Sequence, residues 1–268
     1  MALVALVVVV ALVTIEATAA PTHRTEGTST TVDRTHPVRR PHAGPPRIVI
    51  AGDSASLTLG FNIDPATARE AQWSGAQKLG CGFMRTGTEL GGVRDDARHN
   101  CAGITRHWAN VVAATKPDLV VMIGGSWEMI NQIVGGVVVE PGSAPYDAAL
   151  RADVEEAVQV FSRHGARVVF TDIPCYGPSH LLGDAERTDP ARRVAINRVL
   201  DDVAAHDHRL EVLHWSDILC ASGTYRERIN GVLLRPDGVH FDPAGAHEMW
   251  KWLGPRLIER ARARQLGL

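Results

Sequence analysis

Four short apolar runs interrupt the polar stretches of the chain, and each is typical of a strand that is buried on both faces of a sheet. They are RIVIAG at residues 47–52, DLVVMIGG at 118–125, ARVVFTDIP at 166–174 and LEVLHWSD at 210–217. The first two end in glycine, as expected where a buried parallel strand runs into a tight turn. Residues 61–100 are rich in glycine and have no clear pattern, and one further short strand is predicted there, at residues 79–84.

Helical patterns fill several of the intervals between these runs. Residues 146–164 carry apolar side chains at helical spacing and are closed by Gly165, and residues 190–205 form a second helical pattern. A last helix begins at DPAGAHEMWKWL, where Asp242 can cap it and Pro243 can occupy its first position. Strands that alternate with helices predict βαβ units and a parallel sheet, in which active sites form at the carboxyl ends of the strands.

The N-terminal residues predict export. Residues 1–20, MALVALVVVVALVTIEATAA, contain an apolar run of signal-peptide length with a small-x-small cleavage site at residues 17–19, although no Lys or Arg precedes the run. A signal peptide and a membrane anchor are both open, and either places the rest of the chain outside the cell or on its surface. Residues 21–46 are rich in Thr, Pro, Arg and His and predict a disordered linker, so the domain is expected at residues 47–268.

Length, charge and cysteine content limit the kinds of protein that this chain can be. The 268 residues, 45% of them hydrophobic, suffice for one buried α/β domain, and the formal charge of -2 argues against a nucleic-acid partner. The four cysteines, Cys81, Cys101, Cys175 and Cys220, allow three pairings, of which pairing between sequence neighbours is the simplest. Export favours disulfides over free thiols, and the absence of C-x-x-C spacing argues against a zinc site.

A serine follows the first predicted strand directly. In GDSASLTLG, Gly52 permits a tight turn and Ser54 opens a helix, so its hydroxyl is exposed at the carboxyl end of the strand. The alternatives are a helix cap or a phosphate-binding loop. The phosphate-binding motifs require Gly-Lys-Ser/Thr or G-x-G-x-x-G, and the segment has neither.

A matching pair lies near the other end of the chain, in LRPDGVHFDPAG. Asp237 and His240 are three residues apart, so the carboxylate can accept a hydrogen bond from Nδ1 of the imidazole and leave Nε2 to take a proton from a serine. The alternatives are a chance histidine in a turn and a metal site that includes His247. We discount the metal site because it leaves the serine motif unexplained.

Together, GDS near the start, D-x-x-H near the end and the alternation between them resemble the SGNH (GDSL) hydrolase superfamily over about residues 47–257. The similarity is greatest to extracellular SGNH domains that follow a membrane acyltransferase, through GGSWEM, PGSAPYDAALRADVEEAV and INGVLLRPDGVHFDPAGAHEMWKWL. The resemblance implies a flavodoxin-like three-layer αβα sandwich with a central, mainly parallel five-stranded sheet. It also implies that Ser54 is the nucleophile, His240 the general base and then acid, and Asp237 the residue that orients it.

The resemblance further implies an oxyanion hole with three donors. They are the N–H of Ser54, a glycine N–H best matched by Gly82, with Gly80 as the alternative, and a third-block asparagine. The asparagine position of the G-x-N-D block holds Trp127 here. The indole N–H of Trp127 and the side chain of Ser126 are the two candidates to replace the asparagine as donor. Alternatively, Trp127 has no role in catalysis and packs as an aromatic core residue beneath the site.

The leading prediction is an exported, monomeric serine esterase that needs no cofactor or metal and acts on O-acyl groups of an extracellular glycan or on a small ester. An O-acyltransferase that acylates cell-envelope glycans with a membrane acyltransferase partner is the first alternative. A non-catalytic glycan-binding domain is the second. The tryptophan at position 127, where the family has asparagine, favours the binding domain. The presence of all three triad candidates favours the enzyme.

Overall fold

The computed structural model describes residues 42–96, 98–179 and 183–267. The predicted leader, and the predicted linker as far as residue 41, lie outside the described residues. Residues 42–46, at the end of the predicted linker, lie against the C-terminal helix. The side-chain amide of Gln265 donates to the carbonyl oxygens of His42 and Gly44, both at 2.8 Å.

Thirteen strands and eight α-helices form the described part of the chain. The strands are β1 Arg47–Gly52, β2 Gln72–Gln77, β3 Gly87–Leu90, β4 Val93–Asp95, β5 Leu119–Ile123, β6 Asn131–Val134, β7 Val137–Val139, β8 Arg167–Thr171, β9 Leu210–Leu213, β10 Cys220–Ala221, β11 Thr224–Tyr225, β12 Arg228–Ile229 and β13 Val232–Leu233. The helices are α1 Ser54–Phe61, α2 Pro65–Glu70, α3 Ile104–Thr115, α4 Ala144–Phe161, α5 Asp184–Thr188, α6 Pro190–His206, α7 Ser216–Leu219 and α8 Pro243–Gln265.

The central sheet has the strand order β2-β1-β5-β8-β9, and all of its strand pairs are parallel. In the β1–β5 pair, Ile48 lies opposite Leu119 and Gly52 lies opposite Ile123. Every residue of β5 is buried, as a continuous apolar run predicts for an interior parallel strand. The predicted five-stranded parallel sheet is confirmed.

Helices cover both faces of the sheet, because the side chains of each strand alternate between the two sides. Ile48 and Ile50 of β1 belong to one apolar cluster with Trp250 of α8. Val49 of β1 belongs to a second cluster with Trp108 of α3 and with buried residues of α4 and α6. Burial of each large apolar side chain stabilises the fold by about 1.5–3 kcal/mol. The result is the predicted three-layer αβα sandwich.

A four-stranded antiparallel sheet in the order β4-β3-β6-β7 was not predicted. The strand predicted at residues 79–84 is wrong, since this segment is a loop and β2 supplies the edge strand. The apolar residues Cys81, Phe83 and Met84 are buried there in irregular backbone. The sequence of β2, QWSGAQ, has only one fully buried position and therefore no continuous apolar run.

Two disulfides join neighbouring cysteines, as predicted. They connect Cys81 to Cys101, with Cα atoms 5.1 Å apart, and Cys175 to Cys220, with Cα atoms 5.3 Å apart. Within residues 42–96, 98–179 and 183–267, no helix has both the length and the apolar character needed to cross a bilayer.

Candidate active site

The turn after β1 places a serine at the carboxyl edge of the central sheet. Gly52 has a φ of +130°, and a Cβ atom there would lie 1.7 Å from the carbonyl oxygen of Ile123. Only glycine permits this close approach of β1 to β5. The chain turns at once into α1, whose first residue is Ser54.

Asp53, the residue between them, is the N-cap of α1. Its Oδ1 accepts the N–H of Ala55 at 2.8 Å, and the carboxyl group is fully buried. Burial raises the pKa of Asp53, although the backbone hydrogen bond from Ala55 and the charges of His240 and Arg98 oppose the rise. Because Asp53 caps the helix, the hydroxyl of Ser54 is not used as a cap.

The structure brings together the serine, histidine and aspartate that the sequence singled out. Oγ of Ser54 lies 2.7 Å from Nε2 of His240. Nδ1 of the same imidazole lies 2.7 Å from Oδ2 of Asp237. The histidine and aspartate side chains are 29% and 43% exposed, so the arrangement opens to solvent. This geometry can pass a proton from the hydroxyl to the imidazole while the carboxylate fixes the tautomer.

Asp237 is held in the orientation that faces the imidazole. Its Oδ1 accepts the N–H groups of Val239 and His240, at 2.9 and 2.7 Å. Partial burial raises the pKa of Asp237, but the hydrogen bonds from the imidazole and from these two N–H groups outweigh it, so the pKa lies below the ordinary value. The carboxylate is therefore charged at neutral pH.

The candidate oxyanion donors other than the N–H of Ser54 lie on two loops. Gly82 is buried in the loop after β2, and its N–H donates to none of the described residues. Gly80, the alternative, has its carbonyl oxygen within hydrogen-bonding distance of the Arg98 guanidinium. In the loop after β5, Ser126 is 4% exposed and Trp127 is half-buried. The Trp127 indole N–H likewise has no acceptor among the described residues and stays available as a donor.

Two arginines lie over the ring of Trp127, which belongs to neither apolar cluster of the described residues. The Arg98 and Arg187 guanidinium carbons lie 5.1 and 5.8 Å from its ring centre, which is cation–π geometry. Sequence reasoning found neither arginine. Each is a single charged residue outside any motif, and only the fold shows that they are 2% and 5% exposed.

A cavity of about 270 Å³ lies beside the segment that follows β8. Its lining includes Cys175, Tyr176, Arg187, Arg193 and Tyr225. The hydroxyl of Tyr176 donates to the carbonyl oxygen of Gly124, after β5, at 3.4 Å. The N–H of Gly177 donates to the carbonyl oxygen of Gly238, between the aspartate and the histidine, at 3.0 Å. These two hydrogen bonds join the segment of Tyr176 to the end of β5 and to the loop of Asp237 and His240, although neither triad residue of that loop lines the cavity.

No group of His, Cys, Asp and Glu side chains within residues 42–96, 98–179 and 183–267 has the arrangement of a metal site. His247, which the metal alternative required, lies on α8, five residues after the cap of that helix.

Solved structures of other proteins share the fold of this chain. A "putative acylhydrolase" from Bacteroides fragilis aligns over 84% of this chain and 93% of its own, with 14% identity and a TM-score of 0.57. A GDSL-like lipase from Bacteroides thetaiotaomicron aligns over 80% of this chain and 88% of its own, with 14% identity and a TM-score of 0.54. At this identity the likeness concerns the fold.

Sequence comparison identifies the family. No functionally curated protein matches the chain. The family model for the SGNH domain that is fused to AT3 domains matches residues 22–253, which is most of the chain. The chain therefore belongs to this family of SGNH domains, as its motifs predicted.

Proposed function

We propose that this SGNH domain is a serine esterase in which Ser54 forms an acyl-enzyme, His240 moves the protons and Asp237 orients the imidazole. The observation that carries the proposal is the chain of two 2.7 Å contacts from the serine hydroxyl through the imidazole to the carboxylate. Membership of the SGNH family points to the same chemistry, ester hydrolysis or acyl transfer.

In the first half of the reaction, the Ser54 oxygen attacks the ester carbonyl carbon while its proton passes to Nε2 of His240. The tetrahedral intermediate carries the negative charge on the former carbonyl oxygen. When the intermediate collapses, the bond to the leaving alkoxide breaks and Nε2 returns the proton to that oxygen. In the second half, water gives a proton to Nε2 as its oxygen attacks the acyl carbon. The acid is released as Ser54 regains the proton.

The N–H groups of Ser54 and Gly82 and the indole N–H of Trp127 are the proposed donors to the intermediate. Each donor of this kind contributes about 3–4 kcal/mol to transition-state stabilisation in enzymes of this type. The adjoining cavity is the proposed location of the acyl or alcohol part of the substrate, which we place among O-acyl groups of extracellular glycans and small esters. Two disulfides and the family's fusion to AT3 domains support a location outside the cell.

The test uses the full chain with both disulfides formed and p-nitrophenyl acetate as substrate. We expect release of nitrophenol to fall by about 10⁴-fold or more in both Ser54→Ala and His240→Ala. Ser56→Ala is the matched control, because Ser56 lies two residues away on the same helix and its hydroxyl donates to the Asp53 carbonyl oxygen. Turnover by Ser54→Ala that equals wild type would refute the proposal.

An O-acyltransferase is the alternative that a specific observation favours, since the family is defined by fusion to AT3 domains. In this case a sugar hydroxyl from an envelope glycan replaces water in the second half of the reaction, and a membrane acyltransferase supplies the acyl group. Adding an oligosaccharide acceptor to the ester assay separates the two. Transfer predicts an acylated sugar by mass spectrometry, whereas hydrolysis predicts free acid alone. A non-catalytic binding domain predicts neither product.

A further inference from the structure

Two ionisable side chains are buried next to the candidate oxyanion donors and have no part in the proposed proton transfers. Arg98 is 2% exposed and Glu128 is 0% exposed. Charged groups are seldom buried to this degree, because desolvation is unfavourable unless neighbouring groups compensate it. Arg98 comes from the loop before α3 and Glu128 from the loop after β5.

Both side chains bind the backbone of the same residue, Met84, one at its N–H and the other at its carbonyl oxygen. The N–H of Met84 donates to Oε1 of Glu128 at 2.9 Å. Nη1 of Arg98 donates to the carbonyl oxygen of Met84, also at 2.9 Å. Nε and Nη2 of Arg98 donate to the carbonyl oxygen of Gly80 at 3.4 and 3.3 Å. We call residues 80–84 the Gly82 loop. Arg98 therefore holds both ends of this loop, and the carboxyl group of Glu128 holds the end at Met84.

The carboxyl group of Glu128 also lies directly against Gly82. A Cβ atom on Gly82 would lie 2.3 Å from Oε1 and 2.6 Å from Oε2. Glycine is therefore required at this position while the carboxyl group is in place. The disulfide from Cys81 to Cys101 adds a covalent link between the Gly82 loop and the segment that carries Arg98.

The same pair connects the Gly82 loop to Trp127. The Arg98 guanidinium carbon lies 5.1 Å from the centre of the Trp127 ring. Glu128 follows Trp127 in the chain, and its carbonyl oxygen accepts the hydroxyl of Tyr146 at 2.6 Å. Arg98 and Glu128 thus fix the position of the Gly82 N–H relative to the indole of Trp127, which lies on a different loop.

The backbone conformation of Arg98 and the pKa shifts of Arg98 and Glu128 both indicate that surrounding contacts impose the positions of these two residues. Arg98 has a φ of +36°, in the left-handed region that residues other than glycine seldom adopt and that persists where surrounding contacts impose it. Burial lowers the pKa of Arg98 and raises that of Glu128 to about 7, and each group opposes the shift of the other. The charge of Asp53 also acts on both residues, and Tyr146 and Asp153 act on Arg98.

We propose that Arg98 and Glu128 are positioning residues that hold the Gly82 loop against Trp127 and so align two of the three candidate oxyanion donors, the Gly82 N–H and the Trp127 indole N–H. This inference rests on the proposed acyl-enzyme function. A donor displaced by about 1 Å from its productive position can cost about 10²-fold in rate, because a hydrogen bond weakens steeply once its geometry departs from the ideal. The loss falls on the transition state, and therefore on kcat more than on KM.

The test follows p-nitrophenyl acetate hydrolysis and inhibition by phenylboronic acid, whose boron takes the Ser54 oxygen and becomes a tetrahedral anion. In the full-length protein, Glu128→Ala removes the acceptor of the Met84 N–H. We expect kcat to fall by about 10²-fold and the phenylboronic acid inhibition constant to rise by a similar factor, with KM within about threefold. Glu128→Gln retains an oxygen acceptor, and we expect it to keep both values within about tenfold of wild type.

Asp172→Ala is the matched control. Asp172 is 2% exposed and accepts the N–H of Ser216 at 3.0 Å, so it is a buried carboxyl group that holds a loop without an oxyanion donor. We expect this variant to unfold more easily yet keep wild-type kcat and boronate inhibition. Arg98→Lys is a second variant, which keeps the charge but not the planar fork that reaches both carbonyl oxygens. It is expected to change kcat and boronate inhibition in the same direction as Glu128→Ala, and it carries the test if Glu128→Ala does not fold.

Two outcomes overturn the positioning role alone, and a third overturns the proposed acyl-enzyme function on which it rests. A loss confined to KM, or wild-type kcat and boronate inhibition in the folded variants of Arg98 and Glu128, overturns the positioning role alone when turnover depends on Ser54. Turnover that survives Ser54→Ala instead overturns the proposed function, and the positioning role with it.

Discussion

Oγ of Ser54 and Nε2 of His240 lie 2.7 Å apart although 186 positions separate the two residues in the chain. The serine stands where β1 ends, and the histidine stands in the loop that leads into α8. Because α8 packs on the face of the sheet that contains Ile48 and Ile50 of β1, the loop before it reaches the carboxyl edge beside the serine. The parallel sheet thus brings the two ends of the domain to one site.

Asp237→Asn tests whether the carboxylate orients the imidazole. An amide at this position does not stabilise the imidazolium that forms during attack and can favour the wrong tautomer. We expect kcat on p-nitrophenyl acetate to fall by about 10³–10⁴-fold while the fold persists. Steady-state kinetics and circular dichroism of the variant measure the two effects. Activity within tenfold of wild type would show that the carboxylate is dispensable.

Trp127→Phe tests the indole as a replacement for the missing asparagine. The phenyl ring keeps an aromatic face for Arg98 and Arg187 but has no N–H. If the indole N–H donates to the oxyanion, kcat falls by about 10²–10³-fold with little change in KM. The matched control is Trp108→Phe, which removes a buried indole N–H that already donates to the carbonyl oxygen of Ala76 at 3.2 Å and so is not a free donor. Equal kcat values for both variants would assign the donor role to another group.

Stability should depend on pH through Glu128. Burial raises its pKa from 4.5 to about 7 in the folded protein. Between these values the unfolded chain has lost the proton that the folded chain retains, so the free energy of unfolding falls as pH rises, by at most about 1.4 kcal/mol per pH unit. Denaturant unfolding at pH 5, 6, 7 and 8 measures this slope. Burial also raises the pKa values of Asp53, Asp153 and Asp172, so some slope remains without Glu128. Glu128→Gln has no titrating group at this position and should show a shallower slope, whereas parallel profiles for the two proteins would contradict the prediction.

The disulfides should stabilise the domain unequally. Loop-closure entropy gives about 3 kcal/mol for the bond that spans 20 residues, Cys81 to Cys101, and about 4 kcal/mol for the bond that spans 45, Cys175 to Cys220. Replacing each pair by serine and measuring unfolding in urea tests the order. A larger loss from the shorter loop would show that local packing, and not chain entropy, sets the contribution.

The sequence pattern predicted the elements that carry a strong signal in their own residues. β1, β5 and β8 are continuous apolar runs, and α4, α6 and α8 have apolar spacing or clear caps, so each is visible in its own segment. β2 is an edge strand with polar and glycine residues, and its pairing with β1 depends on tertiary contact. For the same reason the antiparallel sheet of β3, β4, β6 and β7 was missed.

The motifs named the triad candidates because a nucleophile and its base need particular residue types near the ends of particular elements. They did not reveal Arg98, Arg187 or the burial of Glu128. A charged residue in a loop is usually solvated, and only three-dimensional packing shows that these are enclosed. The capping role of Asp53 was also overlooked, although it is what leaves the Ser54 hydroxyl available.

The central claim, that Ser54 is the nucleophile, is tested most directly by locating a covalent label. The full-length protein is incubated with a fluorophosphonate, digested and mapped by mass spectrometry. The account predicts stoichiometric modification of Ser54 alone, which slows strongly in His240→Ala because the base is missing. Modification of another residue, or none in folded protein, would contradict it.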